Sequence, residues 1–229
     1  MLNYRVPREL LLRYVPAGTE LDLWRGSAYV SVVGFLFCDT RLLGLPIPFH
    51  STFEEVNLRF YVRRTVAGES RRAVTFIREL VPRAAIAIVA KLAYNEPYRV
   101  LPMRHRIDVS PDLARPTRVK YEWKGSSGWA GLRVTTDGPA GALVPGSEEE
   151  FITQHFWGYT AQRDGTTVEY EVRHPTWLLW PVRDAEFHGE PATICPTEFV
   201  LHLAGTPHSA LLADGSAVSV HSPVRMPRT

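Results

Sequence analysis

Apolar residues in this chain alternate more often than they recur at helical spacing. FEEVNLRFYVRR (53–64) is the clearest stretch. Val56, Leu58, Phe60 and Val62 share one face, and Glu55, Asn57, Arg59, Tyr61 and Arg63 share the other, because side chains alternate along a strand. RRAVTFIREL (71–80) reads as its partner, with TVAGES and its Gly68 as the hairpin connection. GSAYVSVVGFLFCDTRLL (26–43) is apolar on both alternating faces, the pattern of a strand covered on both sides. GLPIPF (44–49) interrupts it, since Pro46 and Pro48 cannot donate to a central ladder. Further strands are predicted over 103–109, 117–124, 129–136, 166–174 and 182–188. HSALLADGSAVSVHS (208–222) reads as a hairpin around Asp214-Gly215.

Helical signals are fewer. RELLLRY (8–14) follows Pro7 and stops near Pro16 and Gly18. PRAAIAIVAKLAY (82–94) is Ala-rich, begins with Pro82 and is apolar all round over 84–90, so it predicts a buried helix that ends before Pro97. SEEEFITQHFWGY (147–159) predicts a short helix, with Ser147 as cap and three glutamates at its positive end. Nine or ten strands with two or three short helices predict an α+β, mainly β protein: a closed or nearly closed barrel or sandwich with inserted helices. No repeat or linker divides the chain, which reads as a single domain over 1–229.

Composition narrows the function classes. No run approaches the roughly 20 apolar residues of a membrane span, and no signal peptide is visible. A net charge of +2 is too small to steer a polyanion, so neither nucleic acid nor membrane is an expected partner. Cys38 and Cys195 lie far apart and read as cytosolic thiols, consistent with a cytoplasmic protein. The 26 basic residues include only three lysines, Lys91, Lys120 and Lys124, so lysine chemistry has three candidates. Lys120 and Lys124 share a strand face with Glu122, opposite Tyr121 and Trp123, and are expected on the solvent side. Five tryptophans (Trp123, Trp129, Trp157, Trp177 and Trp180) lie in the second half. They predict either core packing or an exposed patch that makes a homo-oligomer.

Two places could carry chemistry. The first is the polar face of 53–63, where Glu55, Asn57, Arg59 and Tyr61 combine a carboxylate, an amide, a guanidinium and a phenol. Turned outward it is a solvated face with cross-strand ion pairs. Turned inward, Arg59 would bind a carboxylate and Glu55 would handle a proton, while the apolar partners pack on the opposite side. Period alone does not say which face points inward. The second is Lys91, an amine on an otherwise apolar helix. Buried, it would be a base or nucleophile; at the helix end, it reaches water. The eight histidines form no metal signature; His50 and Glu54 are four apart beside Pro48, and His202 and His208 straddle Gly205 and Pro207.

The order GSAYVSVVGF, GLPIPFHSTFEEVNLRFYVR and an apolar stretch ending LAYNEPYR resembles the YqjF-like family of uncharacterised proteins (domain of unknown function 2071). That family is placed in the acetoacetate decarboxylase-like superfamily. The resemblance is sharpest over 22–101, and FEEVNLRFYV is its most specific string. It implies a β-barrel with a buried helix and short peripheral helices. The decarboxylases carry a Schiff-base lysine beside a second lysine, in a pattern like Gly-Arg-Glu-x-x-Gly-x-Pro-Lys-Lys, where the neighbouring cation activates the reacting amine. Anchored on Pro97, the pattern puts its two lysines on Tyr98 and Arg99 and its arginine on Lys91; separately, the resemblance implies that the acidic position before the barrel strand survives as Glu54 or Glu55. The fold then carries over without Schiff-base decarboxylation.

These readings lead to a soluble barrel with an internal pocket for a small organic acid or carbonyl compound. Glu55, Asn57, Arg59, Tyr61, Tyr98 and Arg99 would bind the ligand, and Glu55 and Lys91 are the catalytic candidates. No cofactor or metal is implied. A non-catalytic binding or sensing module using the same pocket, and an interaction protein with a filled barrel, are the alternatives.

Overall fold

In the computed structural model the described residues are 1–42, 45–46, 52–82, 97–111 and 115–226. The strands of five residues or more are β1 (Leu2–Val6), β2 (Ala28–Phe37), β3 (Phe53–Val66), β4 (Glu69–Val81) and β5 (Met103–Val109). They continue with β6 (Pro116–Gly125), β7 (Gly128–Thr136), β8 (Trp157–Ala161), β9 (Thr167–Arg173) and β10 (Val182–His188). The alternating stretches thus become the long strands. β3 and β4 pair out to Val66↔Glu69 around a two-residue turn, Ala67-Gly68. Both turn residues have positive φ, 50° and 85°. That is the turn geometry whose twist matches the flanking strands.

The main sheet runs β1-β2-β3-β4-β8-β9, with Ser209–Ala210 outside β1 and Ser219–Val220 outside β9. Tyr98–Val100 adds to β4 in parallel. β10, β7, β6 and β5 form a second, four-stranded sheet. Between the sheets lies the main core. Val56, Leu58, Phe60 and Val62 of β3 are wholly buried there with Trp123, Leu132 and Val134 of the second sheet. Among the described residues the ladders do not close into a barrel.

The helices are short: α1 (Arg8–Leu11), extended by a 3-10 turn to Tyr14, α2 (Glu148–Thr153) and α3 (Val200–Leu203). Ser147 caps α2, accepting from Glu150 N at 3.2 Å. Beyond Pro82, the helix expected over 82–94 lies outside the described residues, as do Lys91 and His50.

Three expectations need correction. The 147–159 helix stops at Thr153, because Trp157–Ala161 joins the main sheet between β4 and β9. Gly158 makes this possible: a Cβ there would collide with the Tyr170 ring lying across it from β9. The 208–222 hairpin does not form. Its short strands pair instead with β1, with Leu179–Trp180 and with β9, whose open edges capture them one by one. The tryptophans make no exposed patch: Trp123 is in the core, and none of the five is among the exposed large apolar residues. Trp123 Nε1 donates to Thr193 Oγ1 at 2.7 Å, satisfying the one polar atom of its ring.

Candidate functional site

β3 is buried on both faces. Opposite its core face, Glu55, Asn57 and Tyr61 are only 3%, 2% and 1% exposed, and Arg59 is half-buried. Burying this many polar groups is costly unless each finds partners, and the partners divide the face into two halves.

In the first half, Tyr61 lies 2.6 Å from Ser31 Oγ, and Ser31 donates to Asn3 Oδ1 at 2.7 Å. The Ser31 proton is therefore committed, and the Tyr61 hydroxyl is the donor to Ser31. Asn3 Nδ2 donates to Ser209 Oγ at 3.0 Å, and Ser209 donates to Glu148 of α2. Each donor points toward the Glu148 carboxylate, which also accepts from Tyr29 at 2.9 Å. The other end of α2 is held by two strand arginines: Arg59 donates to Ile152 O at 3.1 Å and Arg72 to Phe151 O at 3.0 Å. Cations suit the carbonyl end of a helix. Arg59 thus anchors α2, a use that its place on the strand did not reveal.

Beyond α2, His155 stacks on Tyr61 with ring centroids 4.8 Å apart and meets Phe151 edge-on at 6.0 Å. Neither ring nitrogen has a hydrogen-bond partner among the described residues. Burial, followed by the charges of Arg72 and Arg59, holds its pKa well below the ordinary 6.5, so the ring is neutral.

The second half holds Glu55 and Asn57. A bulge between Leu58 and Arg59 in the pairing with β4 leaves Ile77 as an extra residue. It resets the alternation of β4: Ala73 and Ile77 face the core, yet so does Leu80, and Glu79 lands opposite Asn57 on the polar face. Glu79 is 1% exposed. Tyr98 pairs with Glu79 across the next rung and donates to Glu55 Oε2 at 3.3 Å. Asn57 Nδ2 reaches Glu55 Oε1 at 3.4 Å, while Asn57 Oδ1 and Arg59 Nε have no partner among the described residues. Beside this group Phe37 meets Phe35 edge-on and Phe53 at a tilt, with centroids 4.9 Å apart in each contact.

The structure therefore brings Glu55, Asn57 and Tyr98 together, with Arg59 and Tyr61 further along the same strand. Arg99 goes elsewhere: it is exposed, and it donates to Thr193 O at 3.4 Å on the opposite side of the sheet. Sequence reasoning missed Glu79, because a bulge is invisible to periodicity, and His155, because it fell inside the overextended helix. Of the lysines, Lys124 is exposed and Lys120 is half-buried against Glu122 at 2.8 Å. Glu122 also receives Arg104 at 2.8 Å and His188 at 3.1 Å. Burial raises the Glu122 pKa, but these partners outweigh it and bring it down to about 2. No group of three or more His, Cys, Asp or Glu side chains is placed to hold a metal among the described residues. Nor is any described helix long and apolar enough to cross a membrane.

Solved structures with this arrangement define the class. An acetoacetate decarboxylase-like enzyme from Sphingomonas wittichii RW1 aligns with TM-score 0.63 at 13% identity, covering 100% of this chain and 90% of that one. Acetoacetate decarboxylase from Legionella pneumophila aligns with TM-score 0.57 at 12% identity, covering 99% and 81%. The enduracididine biosynthesis enzyme MppR, solved with pyruvate, aligns with TM-score 0.58 at 15% identity, covering 98% and 83%. The chain has an acetoacetate decarboxylase-like fold. No curated relative matches the sequence. The family model DUF2071, described as an uncharacterized conserved protein, matches residues 1–217, and the chain belongs to that family.

Proposed function

We propose that this protein binds a small organic acid or carbonyl compound on the covered face of its main sheet. Glu55, Asn57 and Tyr98 make the polar contacts, with Arg59 and Tyr61 at the far side of a barrel-like enclosure. One observation carries the reading. Asn57 Oδ1 and Arg59 Nε are buried on neighbouring positions of one strand face without partners among the described residues. Orphaned buried polar atoms beside a carboxylate and a phenol are what a polar ligand or bound water satisfies. The ligand class is supported by MppR, which shares the fold and was solved with pyruvate.

On this reading Tyr98 supplies a hydroxyl where the resemblance places a Schiff-base lysine. It would hydrogen-bond a ligand oxygen and cannot form an imine. Glu55 is the group able to exchange a proton with the bound molecule, and Lys91 is the remaining candidate amine. Titration with pyruvate and related keto acids, followed by calorimetry or protein NMR, tests the proposal. Saturable binding is expected, weakened tenfold or more by Glu55→Gln and by Tyr98→Phe and unchanged by Arg118→Gln on the exposed face of the second sheet. Equal affinity in all three variants would refute the placement of the site.

A further inference from the structure

Among the described residues β5 is an edge strand, and His105 on it meets Glu54 of β3 at 2.7 Å. The strand closes one side of the second sheet, and β6 is its ladder partner. Five of its seven residues are exposed, including Ile107 at 42% and Val109 at 54%. Backbone polar groups of successive strand residues point to alternate sides. Pro102 O accepts from Lys124 N at 2.9 Å, and Asp108 O accepts from Thr117 Oγ1 at 3.1 Å. The even-numbered residues therefore face β6. The N–H and C=O groups of Met103, His105, Ile107 and Val109 point away from the sheet with no ladder partner among the described residues, a template for another strand.

Edge strands are commonly defended by charges of one sign, but here Ile107 is flanked by one of each. Arg106 and Asp108 form an exposed pair at 2.7 Å on the outer face of the sheet. Consider a second copy of β5 laid antiparallel with a two-fold axis at Ile107. Ile107 meets Ile107 of the second copy, and His105 meets Val109 of the second copy. All of these are outward-facing residues, so three pairs exchange two hydrogen bonds each. Arg106 then lies opposite Asp108 of the second copy, and Asp108 opposite Arg106 of the second copy. Both are non-hydrogen-bonded rungs, where side chains approach most closely. The nearest alternative registers compatible with the backbone centre on Arg106 or on Asp108, and each sets like charges directly opposite.

We propose that the chain forms a two-fold dimer by antiparallel pairing of β5 about Ile107, joining two four-stranded sheets into one of eight strands. The interface lies on the second sheet, apart from the polar face of β3, so its test is independent of ligand binding.

Light scattering during size exclusion is expected to give twice the 25.9 kDa chain mass at micromolar concentration. Arg106→Asp and Asp108→Arg should each be monomeric, because each places like charges at both rungs. An equimolar mixture of the two should recover the dimer, since every rung of the mixed pair then sets Asp against Arg. Circular dichroism of each variant checks that the exposed substitutions leave the fold intact. A monomeric wild type, an unchanged dimer in either variant, or a mixture that stays monomeric would overturn the proposal.

Discussion

His155 offers a test of how the α2 segment is seated on the main sheet. Its ring is buried against Tyr61 and Phe151, with Arg72 and Arg59 the nearby cations. Protonation would bury an imidazolium with only the Ile152 backbone to favour it and two guanidinium groups opposing it. In the unfolded chain the same histidine titrates near 6.5. The sign follows from linkage. The folded pKa is depressed, so the unfolded state binds more protons below 6.5, and stability present above that pH is lost as pH falls. While the folded ring stays neutral, the loss approaches about 1.4 kcal/mol per pH unit. By pH 5.5 it amounts to about 1 to 2 kcal/mol.

The measurement is urea unfolding at pH 7.5, 6.5, 5.5 and 5.0, followed by tryptophan fluorescence, for wild type and His155→Phe. Phenylalanine keeps the aromatic contacts and removes two orphaned nitrogens. The variant should be at least as stable as wild type at pH 7.5, and its stability should fall less steeply below pH 6.5. All other titratable groups are the same in both proteins, so their contributions cancel in the difference. Equal slopes for the two proteins would show that His155 is not the neutral, desolvated ring described above, whatever the absolute stabilities.

Glu122 gives the opposite branch. Its folded pKa near 2 lies below the ordinary 4.5, so its stabilisation is present above 4.5 and lost as pH falls toward 2. Glu122→Gln should cost on the order of 1–3 kcal/mol at pH 7 after allowance for its solvent-exposed partners, and acid titration of the variant should show a shallower loss over that window. Incubation with acetoacetate or pyruvate and borohydride, then intact-mass analysis, should give no covalent adduct on wild type. An adduct mapped to Lys91 would overturn the exclusion of imine chemistry.

Much of the fold was legible because strand faces are short-range information. Val56 to Val62 alternate with Glu55 to Tyr61, and Gly68 in TVAGES marks the hairpin connection. Both survive folding as read. The illegible parts depend on partners distant in sequence. The chain leaves α2 at Thr153 because β4 and β9 have a place for Trp157–Ala161, and Gly158 admits the Tyr170 ring. The tail abandons its local hairpin because the edges of β1 and β9 offer better pairing. At the candidate site, Glu55 and Asn57 were visible as one strand face. Glu79 was not, since a single extra residue at Ile77 moved it there.

The same alternation decides what the Tyr98-Arg99 pair can do. Tyr98–Val100 runs in register beside β4, Tyr98 against Glu79 and Arg99 against Leu80. Neighbouring residues on a regular strand point to opposite faces. Tyr98 therefore reaches Glu55, while Arg99 passes to the other side and finds Thr193 O. A cation there stands across the sheet from Glu55 and is poorly placed to lower the pKa of an amine at position 98. Tyr98→Lys alone would put an amine beside Glu55, and a nearby carboxylate favours the charged ammonium, which is not nucleophilic. Restoring imine chemistry at this strand thus requires a change in how residues 98 and 99 are presented as well as a change in their identity. A family can keep the fold through such a strand and still lose the reaction, because the sheet holds the strand in place whichever side chains it carries.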